Sequence, residues 1–413
     1  MTGFDILAAL VTLAAVFAWI NYRFVKLPTT IGVMVIALVS SLALVAMEHL
    51  GFRIGTRFTP IFTTIDFNGT LLNGMLGALL FAGALHLDIG DLLAQKGVIT
   101  ALATLGVVLS TVIVGFGARL IFGWLGFEVP IAYALLFGAL ISPTDPIAVG
   151  AILKTAGVPK SLETKITGES LFNDGIGVVM FIVLYEIATG AAEPTARHVS
   201  AVLAEEVVGG VAYGAVVGWI VYRMLKSVDN YQVEILITLA LVTGGYALAH
   251  RLHVSGPLAM VVAGLLIGNH GRALAMSSRT RERLDAFWEL IDEFLNAVLF
   301  VLIGIEVLLL ELQTRYVIAA LLIIPLALFA RWASAGTVVS AMRRARPFSP
   351  HAVKVLTWSG LRGGISVALA LSIPAGPPRA LLLTATYVVV CFSIIGQGLT
   401  IGPYARRLYG DAT

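Results

Sequence analysis

The chain has 413 residues, of which 58% are hydrophobic and only 12% charged, with a formal net charge of +3. Soluble domains carry about 25% charged residues, so this composition excludes an aqueous globular fold, a disordered chain, a collagen-like repeat and a disulfide scaffold together. The basic residues fall between apolar runs, where they anchor and orient a membrane protein, and a nucleic-acid partner is not expected. The single cysteine, Cys391, lies in an apolar run and can form no intrachain disulfide.

In chain order, the apolar runs predict about 13 transmembrane helices: 4–20, 29–47, 68–86, 97–121, 131–152, 166–189, 206–222, 231–250, 254–270, 285–310, 316–341, 351–373 and 380–401. The first has no basic region ahead of it and no small-residue cleavage site, so it reads as a retained helix rather than a removed signal peptide. The run 254–270 is short and bounded by glycine, and 199–205 fits either a loop or the start of the next helix.

Placing the N-terminus outside divides the 27 Lys and Arg residues unevenly: eighteen fall in loops of the inner side, six in loops of the outer side and three within helices. That bias matches the excess of Lys and Arg in cytoplasmic loops and supports an odd number of spans. The expected location is therefore the plasma (inner) membrane, multi-pass, with the C-terminus cytoplasmic. The whole chain, 1–413, reads as one integral membrane transporter domain. With helix 7 (about 206–222) as a linker, helices 1–6 and 8–13 form two sets of six that enter the membrane from opposite sides, the inverted-repeat geometry of secondary transporters.

Transporter sites lie where corresponding helices are interrupted. Span 5 contains Ser142-Pro143-Thr144-Asp145-Pro146, whose prolines remove donors and clash with the preceding turn. Span 12 contains Ser359-Gly360-Leu361-Arg362-Gly363-Gly364-Ile365-Ser366, weakened by three glycines. Span 6 opens on Gly168-Glu169-Ser170-Leu171-Phe172-Asn173-Asp174-Gly175. On a helix Ser170 and Asp174 share a face with Asn173 beside them, whereas Glu169 diverges from Asp174 by roughly 140°. Asp174, Ser170 and a carbonyl freed near Thr144 offer oxygens to a hard cation such as Na+, and Asp174 binds a proton when no metal is present. Mutually exclusive occupancy couples the two ions. The competing reading is two polar helices packed through Ser, Thr and Asn hydrogen bonds.

Asp145 reads equally as a second ion carboxylate or as a charge at an exposed half-helix N-terminus. Arg362 could coordinate an anion, offset half-helix ends or neutralise Glu169, and a structural Glu169–Arg362 pair is expected. Asp88 is an interfacial cap or an access ligand at the end of span 3, and Arg331 snorkels or pairs with an acid the sequence does not identify. No Walker-type Gly-Lys-Ser/Thr is present, nor a nucleophile–base or metal set, so neither ATP-driven transport nor an enzyme is expected.

These three ordered motifs resemble those of the monovalent cation:proton antiporters, the NhaP-like and sodium/proton exchanger branch, over nearly the whole chain. The resemblance implies an all-α fold of two inverted repeats with crossed broken helices, a homodimer, and interleaved core and dimerisation subdomains moving by alternating access. By position, Asp174 resembles the essential ion- and proton-binding carboxylate, Ser170 its side-chain ligand and Thr144 its backbone-carbonyl ligand. Asn173 implies electroneutral exchange of one Na+ for one H+; Glu169 and Arg362 resemble a stabilising ion pair, Asp145 an acid beside the crossing and Asp88 a water-mediated ligand. The chain stops just after span 13, unlike animal exchangers, which implies a prokaryotic member. The expectation is Na+/H+ antiport, with Li+ as another substrate, no cofactor beyond the transported ions, and monovalent cations, protons and lipid as partners. The alternatives are K+/H+ antiport and a gated cation channel.

Overall fold

The computed structural model describes residues 3–50, 69–145, 153, 156–272, 276–311, 313–344 and 346–410. Pro146 and Lys154, and Arg53 and Arg57 of the charge division, lie outside these residues. Among the described residues there are fourteen α-helices and no strand: α1 (Phe4–Val25), α2 (Thr29–His49), α3 (70–85), α4 (Ile89–Trp124), α5 (Ile131–Ile141), α6 (Lys160–Thr189), α7 (Ala196–Lys226), α8 (Tyr231–Arg251), α9 (Gly256–Gly271), α10 (Ser278–Glu306), α11 (Thr314–Met342), α12 (Ala352–Trp358), α13 (Gly364–Leu371) and α14 (Pro377–Tyr409). Eight are long and apolar enough to cross a bilayer on length and composition. The chain is a multi-pass membrane protein.

Among the described residues each expected run contains a helix; 131–152 is helical to Ile141, its residues 146–152 lying outside the described residues, 351–373 is split in two, and further differences lie at polar ends. Helix α4 starts at Ile89 rather than 97, because Asp88 caps it by accepting the Asp91 N–H at 2.9 Å. Helix α7 starts at Ala196, so 199–205 is helical, and Thr195 accepts the His198 N–H. Helix α10 begins seven residues before the expected 285, on a charged turn capped by Ser277. Helix α9 is entered through Ser255, which accepts the Leu258 N–H, with Pro257 in the first turn, where its missing N–H costs nothing.

Two apolar clusters draw on different sets of helices, and a third ties α1, α2, α3 and α10 to α13 and α14 through Val301, Val367 and Tyr387. One apolar cluster joins α4, α5, α6, α11, α13 and α14, for example through Phe122, Phe137, Phe181, Ile323, Leu369 and Leu382. Another joins α3, α7, α8, α9 and α10 around Phe81, Met260 and Trp288. The outward faces of α1 and α7 carry exposed Leu7, Trp19, Val211, Val216 and Trp219.

Candidate functional site

Two helix breaks cross. Helix α5 ends at Ile141, because Pro143 has no N–H to donate and disfavours helical backbone before it. Residues 359–363 separate α12 from α13. The extended segments touch: the Asp145 N–H donates to the Leu361 carbonyl at 2.7 Å. A side chain at Gly363 would collide with the Asp145 carboxylate, so only glycine lets the two segments approach this closely.

The exposed helix poles are neutralised reciprocally. Arg362, from the second break, donates through Nε to the last α5 carbonyl, Ile141, at 3.0 Å, and through its other nitrogens to the carbonyls of Gly360 and Ala327. Asp145, from the first break, lies against Gly363 at the start of α13. A cation at a helix C-terminus and an anion at an N-terminus are the favoured placements.

The expected Glu169–Arg362 pair is not made. Glu169 is fully buried and takes a two-pronged ion pair from Arg331 of α11: Nη2 to Oε2 at 2.7 Å, with Nη1 on Oε1. The third donor, Arg331 Nε, reaches the Leu356 carbonyl at 3.0 Å. Arg362 lies within electrostatic reach of Glu169, but its donors are consumed by helix-end carbonyls. Glu169 is thus the acid, unidentified from the sequence, with which Arg331 pairs.

On α6, Asn173 uses both ends of its amide on the broken segment: Oδ1 accepts the Thr144 N–H at 3.2 Å, and Nδ2 donates to Thr144 Oγ1 at 2.9 Å. Thr144 Oγ1 lies 3.0 Å from Ser170 Oγ. Asn173 therefore clamps Thr144 beside Ser170 and Asp174. Thr144, Ser170, Asn173 and Asp174 are all buried.

Asp174 and Asp145 line a cavity of about 480 Å³ that also meets His86, Glu163, Thr167, Glu289, Asp292 and Gly364. Helices α3 and α10 form one wall and α6 and the breaks the other. Five carboxyl groups around one recess concentrate cations inside it. Asp88 is spent on its helix cap and is not among the lining residues. Glu163, Glu289 and Asp292 were missed by the sequence reading. Asp285, Glu289 and Asp292 recur at helical spacing, the signal by which a polar stripe on α10 could have been found.

A membrane carrier with crossed half-helices and a carboxylate at the end of an acidic cavity is the class of protein this geometry defines. The sodium/hydrogen exchanger transmembrane family profile matches residues 11–407. The Na+/H+ antiporter NhaP of Pseudomonas aeruginosa is 50% identical over 410 residues, covering 98% of this chain and 97% of that one. The Na+/H+ antiporter NhaH of Halobacillus dabanensis is 33% identical over 381 residues, covering 88% and 91%. In fold, the structure of the sodium proton antiporter MjNhaP1 of Methanocaldococcus jannaschii at pH 8 superposes with a TM-score of 0.77 at 19% identity, covering 98% of each chain. The chain belongs to the sodium/hydrogen exchanger family, whose members are transporters.

Proposed function

We propose that this chain is a secondary antiporter that exchanges Na+ for H+ at Asp174, with Ser170 and Thr144 as further oxygen ligands. The observation that carries the reading is the position of Asp174: buried, lining an acidic cavity, one helical turn after Ser170, whose hydroxyl meets that of Thr144 at the crossing. Na+ drawn into the cavity exchanges water for these oxygens and displaces the proton. A bare carboxylate is costly to move through an apolar barrier, whereas one neutralised by Na+ or H+ is not, and this difference makes the exchange obligatory.

The relatives named as Na+/H+ antiporters favour Na+ over the K+/H+ alternative. A channel needs a continuous path. Here a second, separate cavity, lined by Glu186, Glu206, His250 and His253, lies toward the other end of α6, and Leu76 lines both. The two apolar clusters that draw on different helices support a core of α4–α6, α11, α13 and α14 moving against the rest, with inverted halves on either side of α7. The apolar outward faces of α1 and α7 support a homodimer, and the basic loops support a plasma (inner) membrane location with the N-terminus outside. Asn173, held on Thr144, leaves Asp174 as the carboxylate beside the Thr144 and Ser170 oxygens, which supports electroneutral exchange.

The test is proton flux in proteoliposomes with a preset pH gradient, adding Na+, Li+ or K+ in turn, with and without a valinomycin-clamped potential. Na+-dependent dissipation indifferent to the clamp, lost in Asp174→Asn, is the expected result. Dissipation driven by K+ alone, a flux that follows the clamp, or retained exchange in Asp174→Asn would each overturn the corresponding part.

A further inference from the structure

Away from the transport cavity, in the first turn of α8, Glu234 is fully buried and neither of its carboxylate oxygens has a hydrogen-bond partner. The backbone of Asn230 and the hydroxyl of Thr280 lie beside it, yet neither completes a hydrogen bond to it. A buried carboxylate left this way is expensive unless a proton or a cation neutralises it. The surroundings supply oxygens rather than positive charge. Thr280, at the start of α10, directs its hydroxyl toward Asp229 Oδ1 at 3.5 Å and accepts from Ser277 Oγ at 3.3 Å, which leaves one lone pair for a cation. Asp229 is exposed and faces Glu234, so it gives a charged approach from the aqueous surface.

We propose that Glu234, with Thr280 and Asp229, forms a second Na+ site, separate from the transport cavity, between the N-terminal ends of α8 and α10. Only Glu234 is a buried charge here, so one monovalent cation neutralises the interior. Below the site the two helices are already joined, since Trp288 Nε1 donates to Thr238 Oγ1 at 3.1 Å. Trp288 is followed directly by Glu289, which with Asp292 lines the transport cavity. A cation at Glu234 therefore fixes α10, the helix that forms the cavity wall opposite Asp174.

The test is the Na+ dependence of the thermal midpoint in detergent, with choline replacing Na+ at fixed ionic strength. It is run on Asp174→Asn and on Asp174→Asn/Glu234→Gln. The first protein should show a midpoint that rises with Na+, and the second should not, since a ligand bound only to the folded state stabilises it. The difference is read from Glu234 alone, so it stands whether or not Asp174 carries transport. No Na+-dependent rise in the first protein, as would follow if a proton alone fills the site, overturns the proposal, and so does an equal rise in both. If the double variant does not fold, Asp174→Asn/Thr280→Val serves instead. It keeps the carboxylate and should raise the half-saturating Na+ concentration by about tenfold, the effect of roughly 1.4 kcal/mol in binding; an unchanged value overturns the proposal.

Discussion

At Glu169 the strongest side-chain interaction of the core can be isolated. Its ion pair with Arg331 is buried, two-pronged and tied by a third donor to the end of α12. Removing one partner leaves an uncompensated charge where water cannot reach, at a cost of about 3–5 kcal/mol. Glu169→Gln or Arg331→Met should therefore lower thermal stability strongly, and the double variant should lose less than the two single losses added together. Additive losses would show that the groups do not meet. Arg362→Met should instead free the carbonyls of Ile141 and Gly360, and its coupling to Glu169→Gln in the same cycle should be smaller than that of Arg331→Met. The sequence showed which charges lie inside the membrane, because hydropathy makes each one conspicuous. It did not show who pairs with whom: helical spacing gives the direction of Glus such as Glu169 about their own helix but not which neighbouring helix stands there. Arg362 lies among the glycines of the second break, while Arg331 sat in an ordinary apolar run.

At the scale of the elements, the crossing joins two breaks made by different means. Proline forces the first, and the second is permitted by small residues, so both were legible as interruptions in otherwise apolar runs. Their contact was not legible, because 216 residues separate Asp145 from Leu361, whose carbonyl receives its N–H. Gly363 is the tightest point of this contact. Gly363→Ala adds one methyl group onto the Asp145 carboxylate and should cost about 1–3 kcal/mol as overpacking. The added methyl moves Asp145 away from the start of α13, so exchange should fall more than folding does. Equal exchange per folded protein would mean that the crossing tolerates the shift. The acidic wall on α10 escaped the sequence reading for a related reason. Glu289 and Asp292 stand in the polar first half of a helix whose apolar half carries the hydropathy signal, and only the placement of that half across the cavity from α6 makes it a lining.

For the whole molecule, the proposed coupling has a sign that can be checked without knowing how far any group moves. If Na+ and H+ compete for Asp174, the half-saturating Na+ concentration measured on one face rises with the proton concentration on that face. Below the pH at which the proton-loaded form dominates, each unit of acidification should raise that concentration by about tenfold; above it, the value should level off. The maximal rate behaves differently. Antiport needs the proton-loaded form for the return step, so alkaline pH on both faces should slow net Na+/H+ exchange while leaving Na+/Na+ exchange, which returns loaded with sodium, comparatively fast. Isotopic ²²Na+ uptake into proteoliposomes at matched internal and external pH measures both quantities. A half-saturating Na+ concentration indifferent to pH would place the transported proton on another carboxyl group of the cavity, with Asp145 and Asp292 the residues to substitute next. It would also remove the argument for one-for-one exchange, because two groups that load independently need not be neutralised by a single charge before the barrier is crossed.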